Sequence, residues 1–367
     1  MYAQQSIQDT LFLLFYGGIT ILALVAGIYL WLRRSNALAP DVTAPKALRL
    51  WTAAFFLMAA LSHVWWYVLG VYWLTDDRMV RNMVAVTLDH ITLVPLVMAL
   101  LLRMLQDRRR RLWPWVLSQL PILVSAAVGI ANHDVFYGFD ATTYWQRGVM
   151  TIFLVYYIYA LIQYGRWLHE NYADLEHKEV WQSLLFVASL FVVYEFYFTN
   201  PGEMAREYLA QVETLAIIIF LLWRVETLQE LDAKEVEADE MEAEAANTNV
   251  TIPSNIGSLL LVYCEAPQLY LQHDLTLTQL AGVIGTNRTY LSQYFAQQGM
   301  TYNTYINRLR IDHFEYLYNE AVQAHRSLTA QQLAVESGFK SYSTFAAVFK
   351  QFKGQTVSAW MKEETDL

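Results

Sequence analysis

Seven apolar runs occupy the first 224 of the 367 residues. Each comes close to the roughly 20 residues that a helix needs to cross a bilayer. They fall at about 10–32, 50–74, 82–105, 113–132, 147–168, 180–200 and 207–223. Charged or turn-forming residues separate them in order: Arg33-Arg34, Asp76-Asp77-Arg78, Arg108 to Arg111, His133-Asp134, His169-Glu170 and Asn200-Pro201-Gly202. With 56% hydrophobic and 15% aromatic residues, the chain is too apolar for a purely soluble protein. Residues 1–224 therefore read as a seven-span membrane domain. The first nine residues hold no Lys or Arg, and no small-residue cleavage site follows the first run, which marks an anchor and not a signal peptide.

Basic residues set the orientation. Arg33, Arg34, Lys46, Arg49, Arg103, Arg108, Arg109, Arg110, Arg111, Arg166, Lys178 and Arg224 fall on one side, and only Arg78, Arg81, Arg147 and Arg206 on the other. Twelve against four places the N-terminus outside and everything after the seventh span in the cytoplasm. The single cysteine, Cys264, allows no intrachain disulfide. The outer loops are too short to fold as a sensing domain.

Residues 225–251 carry nine acidic side chains against Lys234 alone, which is nearly all of the net charge of −9. This segment reads as a helical extension of the seventh span that frays into a joint near Asn247-Thr248-Asn249 and Pro253. Val225 and Leu228 could begin a dimer seam, but no heptad continues it. A solvated spacer is the plain reading. A sharper one lays it on the helices that follow, as a mimic of their ligand in the off state.

A short pattern then occurs twice. Leu275-Thr276-Leu277-Thr278-Gln279-Leu280-Ala281 returns 53 positions later as Leu328-Thr329-Ala330-Gln331-Gln332-Leu333-Ala334. Thr276/Gln279 and Thr329/Gln332 are Thr-x-x-Gln capping boxes, which mark helix starts. Gly285 and Gly338 each follow four residues after the alanine and suit a tight turn. A second helix follows each turn, with Leu291, Tyr294 and Phe295 inward in one, and Phe345, Val348, Phe349 and Phe352 inward in the other. Helix, glycine turn, helix, given twice, describes a pair of helix-turn-helix units over 252–367.

These residues carry a resemblance. Asn287, Tyr290-Leu291-Ser292 and Phe295, then Tyr305-Ile306-Asn307 and Arg310-Ile311, then Ser337-Gly338-Phe339, Ser343, Phe345, Phe349-Lys350 and Gly354-Gln355-Thr356 resemble the DNA-binding domain of the AraC/XylS transcription regulators. The chain departs from that pattern at Val357, where the family usually has proline, and at Phe314, where it usually has a small residue. The resemblance implies double-stranded DNA as a partner, with the second helix of each unit entering the major groove. Side chains suited to that groove are Asn287, Arg288, Thr289, Ser292 and Gln293 in the first unit, and Lys340, Ser341, Tyr342, Ser343 and Lys350 in the second. From residue 252 onward there are eight basic and nine acidic residues. This lacks the usual basic footprint of a DNA binder, so pairing of domains, as in a homodimer, would matter for affinity.

Ionisable groups inside membrane spans are costly and default to function. Here they are His63, Asp89, His90, Glu195 and Glu213. At about 1.5 Å per residue, His63, Asp89, Glu195 and Glu213 lie about 8–16 Å below the outer surface, which suggests a signal pocket open to the outside. Mutual structural pairing, a small amphiphilic or cationic ligand helped by Trp65, Trp66, Tyr67 and Trp73, a metal site, and a proton-linked switch all fit. A retinal-type light sensor does not, because the seventh span has no lysine for a Schiff base. Pro95 should loosen the third span. The loop 169–179 is more acidic than its side of the membrane predicts, and either docks a partner surface or is a plain loop.

The sequence shows no phosphate-binding glycine loop, nucleophile elbow or kinase pattern, so no enzyme, cofactor or metal is expected. The fold expected is all-α: a seven-helix bundle, an acidic linker, and a two-unit helix-turn-helix domain. The function expected is a one-component transcription regulator with sensor and effector in one polypeptide. A membrane receptor whose tail binds protein, or a transporter with a regulatory tail, is the alternative.

Overall fold

The computed structural model describes residues 7–70, 75–197, 203–231, 255–326 and 328–365. Among these residues the structure is helical, and the one β contact is an isolated antiparallel bridge between Tyr172 and Thr276. The chain forms two compact units. The first comprises Met1–Ile162 and Val180–Leu231, and the second comprises Gln163–Glu179 and Asp232–Leu367.

The first unit contains α1 (Ile7–Leu32), α2 (Lys46–Gly70), α3 (Arg78–Met104), α4 (Trp113–Leu117), α5 (Leu120–Ala131), α6 (Val135–Asn171, up to Ile162), α7 (Gln182–Tyr197) and α8 (Glu203–Thr227). Large apolar side chains face outward along these helices, with Leu14 at 68%, Ile152 at 64% and Val192 at 66% exposure. A surface of that kind suits lipid tails and not water. Small residues let backbones approach. A Cβ on Gly27 would lie 2.9 Å from Leu57 Cγ, and one on Gly129 would lie 3.0 Å from Gly138 Cα.

Among the described residues six helical stretches are long and apolar enough to cross a membrane, where seven were expected. The run at 180–200 is the difference. Its helix, α7, has 16 residues and so rises about 24 Å, short of a hydrocarbon core of about 30 Å. Residues 198–202 lie outside the described residues. The run at 113–132 is broken into α4 and α5 at Ser118-Gln119, with Pro121 in the first turn of α5. The fifth run is the middle of the 37-residue α6. Helix α3 continues through Pro95.

Among the described residues the expected helical extension of the seventh span stops short: residues 228–231 are not helical. Helix α8 ends at Thr227. The following residues are pinned: Glu230 N donates to Thr43 O at 2.7 Å, and the Gln106 amide bonds both Gln229 O (2.9 Å) and Leu231 N (3.0 Å). Val225 and Leu228, offered as a dimer seam, are fully buried inside the first unit. Glu226 is no solvated linker charge either. Its carboxylate accepts Arg49 Nη2 at 2.9 Å, Tyr29 OH at 3.1 Å, Leu38 N at 3.3 Å and also Ala37 N. Arg49 in turn donates to Asn36 Oδ1 at 3.0 Å and to Arg33 O. These added hydrogen bonds offset much of the cost of burying the ion pair. Residues 232–254, the rest of the linker, lie outside the described residues.

The second unit runs through α9 (Ile256–Leu260), α10 (Leu277–Val283), α11 (Arg288–Gln297), α12 (Tyr302–Gln323), α13 (Ala330–Glu336), α14 (Tyr342–Lys353) and α15 (Val357–Thr365). Both capping boxes form, with Thr276 Oγ1 accepting Gln279 N and Thr329 Oγ1 accepting Gln332 N. Gly285 and Gly338 hold φ of +71° and +92°, as the turns between paired helices require. Two apolar cores result. One gathers Leu277, Leu280, Leu291, Phe295 and Ile306, and the other gathers Phe314, Leu333, Phe345, Phe349 and Val357. Phe314 and Val357, the two departures from the family pattern, are core residues: the Phe314 ring sits 4.5 Å from Phe345 and 6.1 Å from Trp360.

Candidate nucleic-acid interface and polar cluster

Helices α10–α11 and α13–α14 are the two helix-turn-helix units, and α12 joins them. Arg310 of α12 locks the join. It is 1% exposed, donates Nε to Tyr270 O at 2.8 Å and Nη2 to Gln272 O at 2.7 Å, and lies 5.7 Å over the Phe339 ring. Burial pulls its guanidinium below the ordinary arginine value, with nearby acidic groups opposing. His273 Nδ1 bonds Gly338 O at 3.0 Å, and a Cβ on Gly338 would meet Leu271 Cα at 2.8 Å. Only glycine fits there, both by space and by φ.

The residues expected on the DNA-facing side are distributed unevenly. Asn287 is the N-cap of α11 and accepts Tyr290 N at 2.8 Å; Ser341 caps α14 and accepts Thr344 N at 3.3 Å. Thr289, Ser292 and Gln293 are partly exposed, while Lys340, Tyr342, Ser343 and Lys350 are exposed. Arg288 differs. It is 8% exposed, and its Nε donates to Asn171 Oδ1 at 2.8 Å. Periodicity could place Arg288 at the start of a helix, but not under a segment 117 residues away.

That segment is the acidic loop 169–179, and the structure makes it a docking element of the second unit. Asn303 Nδ2 donates to Tyr172 O at 3.1 Å and to Ala173 O at 2.8 Å, and Ala173 is buried in the core of the first helix-turn-helix unit. Glu176 Oε2 accepts Thr344 Oγ1 at 3.2 Å. Lys178 is 4% exposed, with its ammonium 5.4 Å over the Tyr172 ring. Burial pulls its pKa down, and Asp174 and Asp274 partly oppose that shift. Thr344, Asn171 and Glu176 were missed as contact residues. The excess of acid in the loop was the one available signal.

In the first unit, two of the five expected pocket residues sit in one polar cluster. Asp89 accepts Ser62 Oγ at 2.5 Å and Trp66 Nε1 at 2.7 Å. His63 meets Gln211 Oε1 at 3.0 Å through Nε2, and its backbone carbonyl accepts Tyr16 OH at 2.5 Å. His90 is tied to its own helix, through Val86 O at 2.7 Å. Glu195 is held by Arg147 in an ion pair, and Glu213 has no hydrogen-bond partner among the described residues. Among the described residues no three His, Cys, Asp or Glu side chains gather as a metal site.

Residues 265–363 match the family model described as a helix-turn-helix domain, and this part of the chain is an AraC-type helix-turn-helix domain. Its relatives are transcription regulators. An uncharacterized HTH-type transcriptional regulator of Staphylococcus aureus (strain MRSA252) is 30% identical over 96 residues, which are 25% of this chain and 12% of that protein. The HTH-type transcriptional activator RhaR of Salmonella heidelberg (strain SL476) is 33% identical over 75 residues, 20% of this chain and 25% of that one. The chain thus spans a quarter or less of the curated relatives it matches. No solved structure matches it.

Proposed function

We propose that this chain is a membrane-anchored one-component transcription regulator. Residues 1–224 hold it in a bacterial inner membrane, N-terminus outside, and sense an external or lipid-phase signal. Residues 225–251 connect to a cytoplasmic DNA-binding domain, 252–367, whose helices α11 and α14 enter successive major grooves about 34 Å apart. The observation that carries the reading is the pair of helix-turn-helix units locked into one body by Arg310 and Gly338. The polar cluster of His63 and Asp89 is the candidate sensing element, with a small ligand as its partner. Homodimerisation through the membrane half would raise effective concentration at a repeated site.

The test is genome-wide crosslinking and immunoprecipitation of the intact protein beside an Arg288→Ala/Lys340→Ala variant. Sharp peaks that vanish in the variant are expected. Their absence under every growth condition, with protein present in the membrane, would favour a receptor whose tail binds protein. The slight excess of acid over base after residue 252 is the observation behind that second reading.

A further inference from the structure

The loop between α6 and α7 is seated on side chains that a DNA duplex would need. Asn171 Oδ1 holds Arg288 of α11, and Glu176 Oε2 holds Thr344 of α14, so one short stretch engages both reading helices. The seat is built and not incidental. Two asparagines of α12, Asn303 and Asn307, direct their amides at the carbonyls of Tyr172 and Ala173. Ala173 is 2% exposed within the apolar core, and Tyr172 pairs its backbone with Thr276 at the start of α10. The loop also holds its own shape: Asp174 Oδ1 accepts Glu176 N at 3.0 Å, and Tyr164 OH donates to Lys178 O at 2.8 Å.

Charge makes the arrangement competitive. An arginine and a threonine at the first turns of reading helices are natural donors to base edges and phosphates. Here they meet an amide oxygen and a carboxylate oxygen, acceptors like those a duplex presents. One guanidinium cannot be held by Asn171 and also reach into a groove. The stretch is also foreign to the matched helix-turn-helix region, which begins at residue 265.

We infer that residues 171–178 are an intramolecular cover for the DNA-reading surface, and that the cover and DNA compete for Arg288 and Thr344. The inference rests on the DNA-binding reading above. Asn171 is the last residue of α6, so a displacement of that helix reaches the Arg288 contact through the backbone. The sharper of the two readings of the acidic linker laid it on these helices as a mimic of their ligand; the described contacts put this loop against Arg288 and Thr344, and residues 232–254 of the linker lie outside the described residues.

The test uses the full chain in lipid nanodiscs, with sheared genomic DNA of the host at low salt as the probe. Asn171→Ala/Glu176→Ala removes both cover contacts and leaves Arg288 and Thr344 intact. It should bind DNA about 5–30-fold more tightly than wild type, the scale of one or two lost hydrogen bonds. Phenylglyoxal should modify Arg288 faster in that variant, reporting release without reference to DNA. A second variant, Glu176→Cys/Thr344→Cys joined by a short reducible crosslinker, keeps the native packing. It should lose DNA binding when joined and regain it on reduction.

Equal or weaker binding by a variant whose Arg288 has become reactive would overturn the cover, as would undiminished binding by the joined protein. If Arg288 becomes reactive yet neither wild type nor variant binds DNA, the DNA-binding reading itself fails. Should the alanine variant misfold, the crosslinked pair decides alone.

Discussion

Arg49 and Glu226, 177 positions apart, form a buried ion pair in which Nη2 and Oε1 lie 2.9 Å apart. It ties the end of α8 to the start of α2. Replacing one partner strands the other charge, so Glu226→Ala should cost about 3–5 kcal/mol of stability. Glu226→Gln, which keeps the volume and one of the two acceptor oxygens, should cost less. Denaturation of the detergent-solubilised chain measures both, and equal losses would mean that the retained oxygen contributes nothing beyond the lost charge.

Arg310 presents a fork to the carbonyls of Tyr270 and Gln272, which no other side chain among the described residues bonds. Arg310→Met should destabilise the second unit by about 3 kcal/mol, because buried acceptors lose charged donors. Arg310→Lys should recover only part of this, since a single ammonium does not reproduce the planar fork. Hydrogen exchange across α12 and residues 269–273 reads the effect.

Lys178 should give a pH signature. Burial lowers its folded value below the ordinary 10.5, so between the folded value and 10.5 the unfolded chain binds more protons. Stability of the second unit should therefore rise with pH across that window and be complete near 10.5, while below the folded value the burial cost is present in full. Lys178→Met should lack this rise. Melting of both proteins between pH 8 and 10.5 checks the sign, and parallel curves would refute it.

Asp89 receives two donors, Ser62 Oγ and Trp66 Nε1. Asp89→Asn removes the charge and puts an NH2 group opposite one of them; facing Ser62 it reverses that bond, so that the hydroxyl accepts. Reporter output in cells should change, while DNA binding by the purified full chain should stay within about twofold, less than 0.5 kcal/mol. Unchanged output would make the cluster structural.

Much of this architecture was legible because it rests on local rules. Apolar runs, the Thr276 and Thr329 boxes, and Gly285 and Gly338 announce themselves within a few residues of chain. Glu226 did not, because nothing beside it in sequence shows that Arg49 and two backbone amides wait for it. Glu195 entered the pocket by depth alone, and depth cannot reveal that Arg147 already holds it. Arg288 was found as a DNA-facing side chain, yet its cover belongs to a loop of unlike sequence and distant number.

Ala173 gives the second unit a property that its sequence match conceals. The unit is discontinuous in the chain: a core residue arrives from between α6 and α7, more than 80 positions before α9 begins. A gene fragment opened in the linker would encode a domain with a vacant socket beside Ile306 and Leu277. Expressed alone, it would lack both its cover and a piece of its packing, so its behaviour would not stand for that of the whole. Here the restraint and the fold share the same residues, and no cut in the chain separates them.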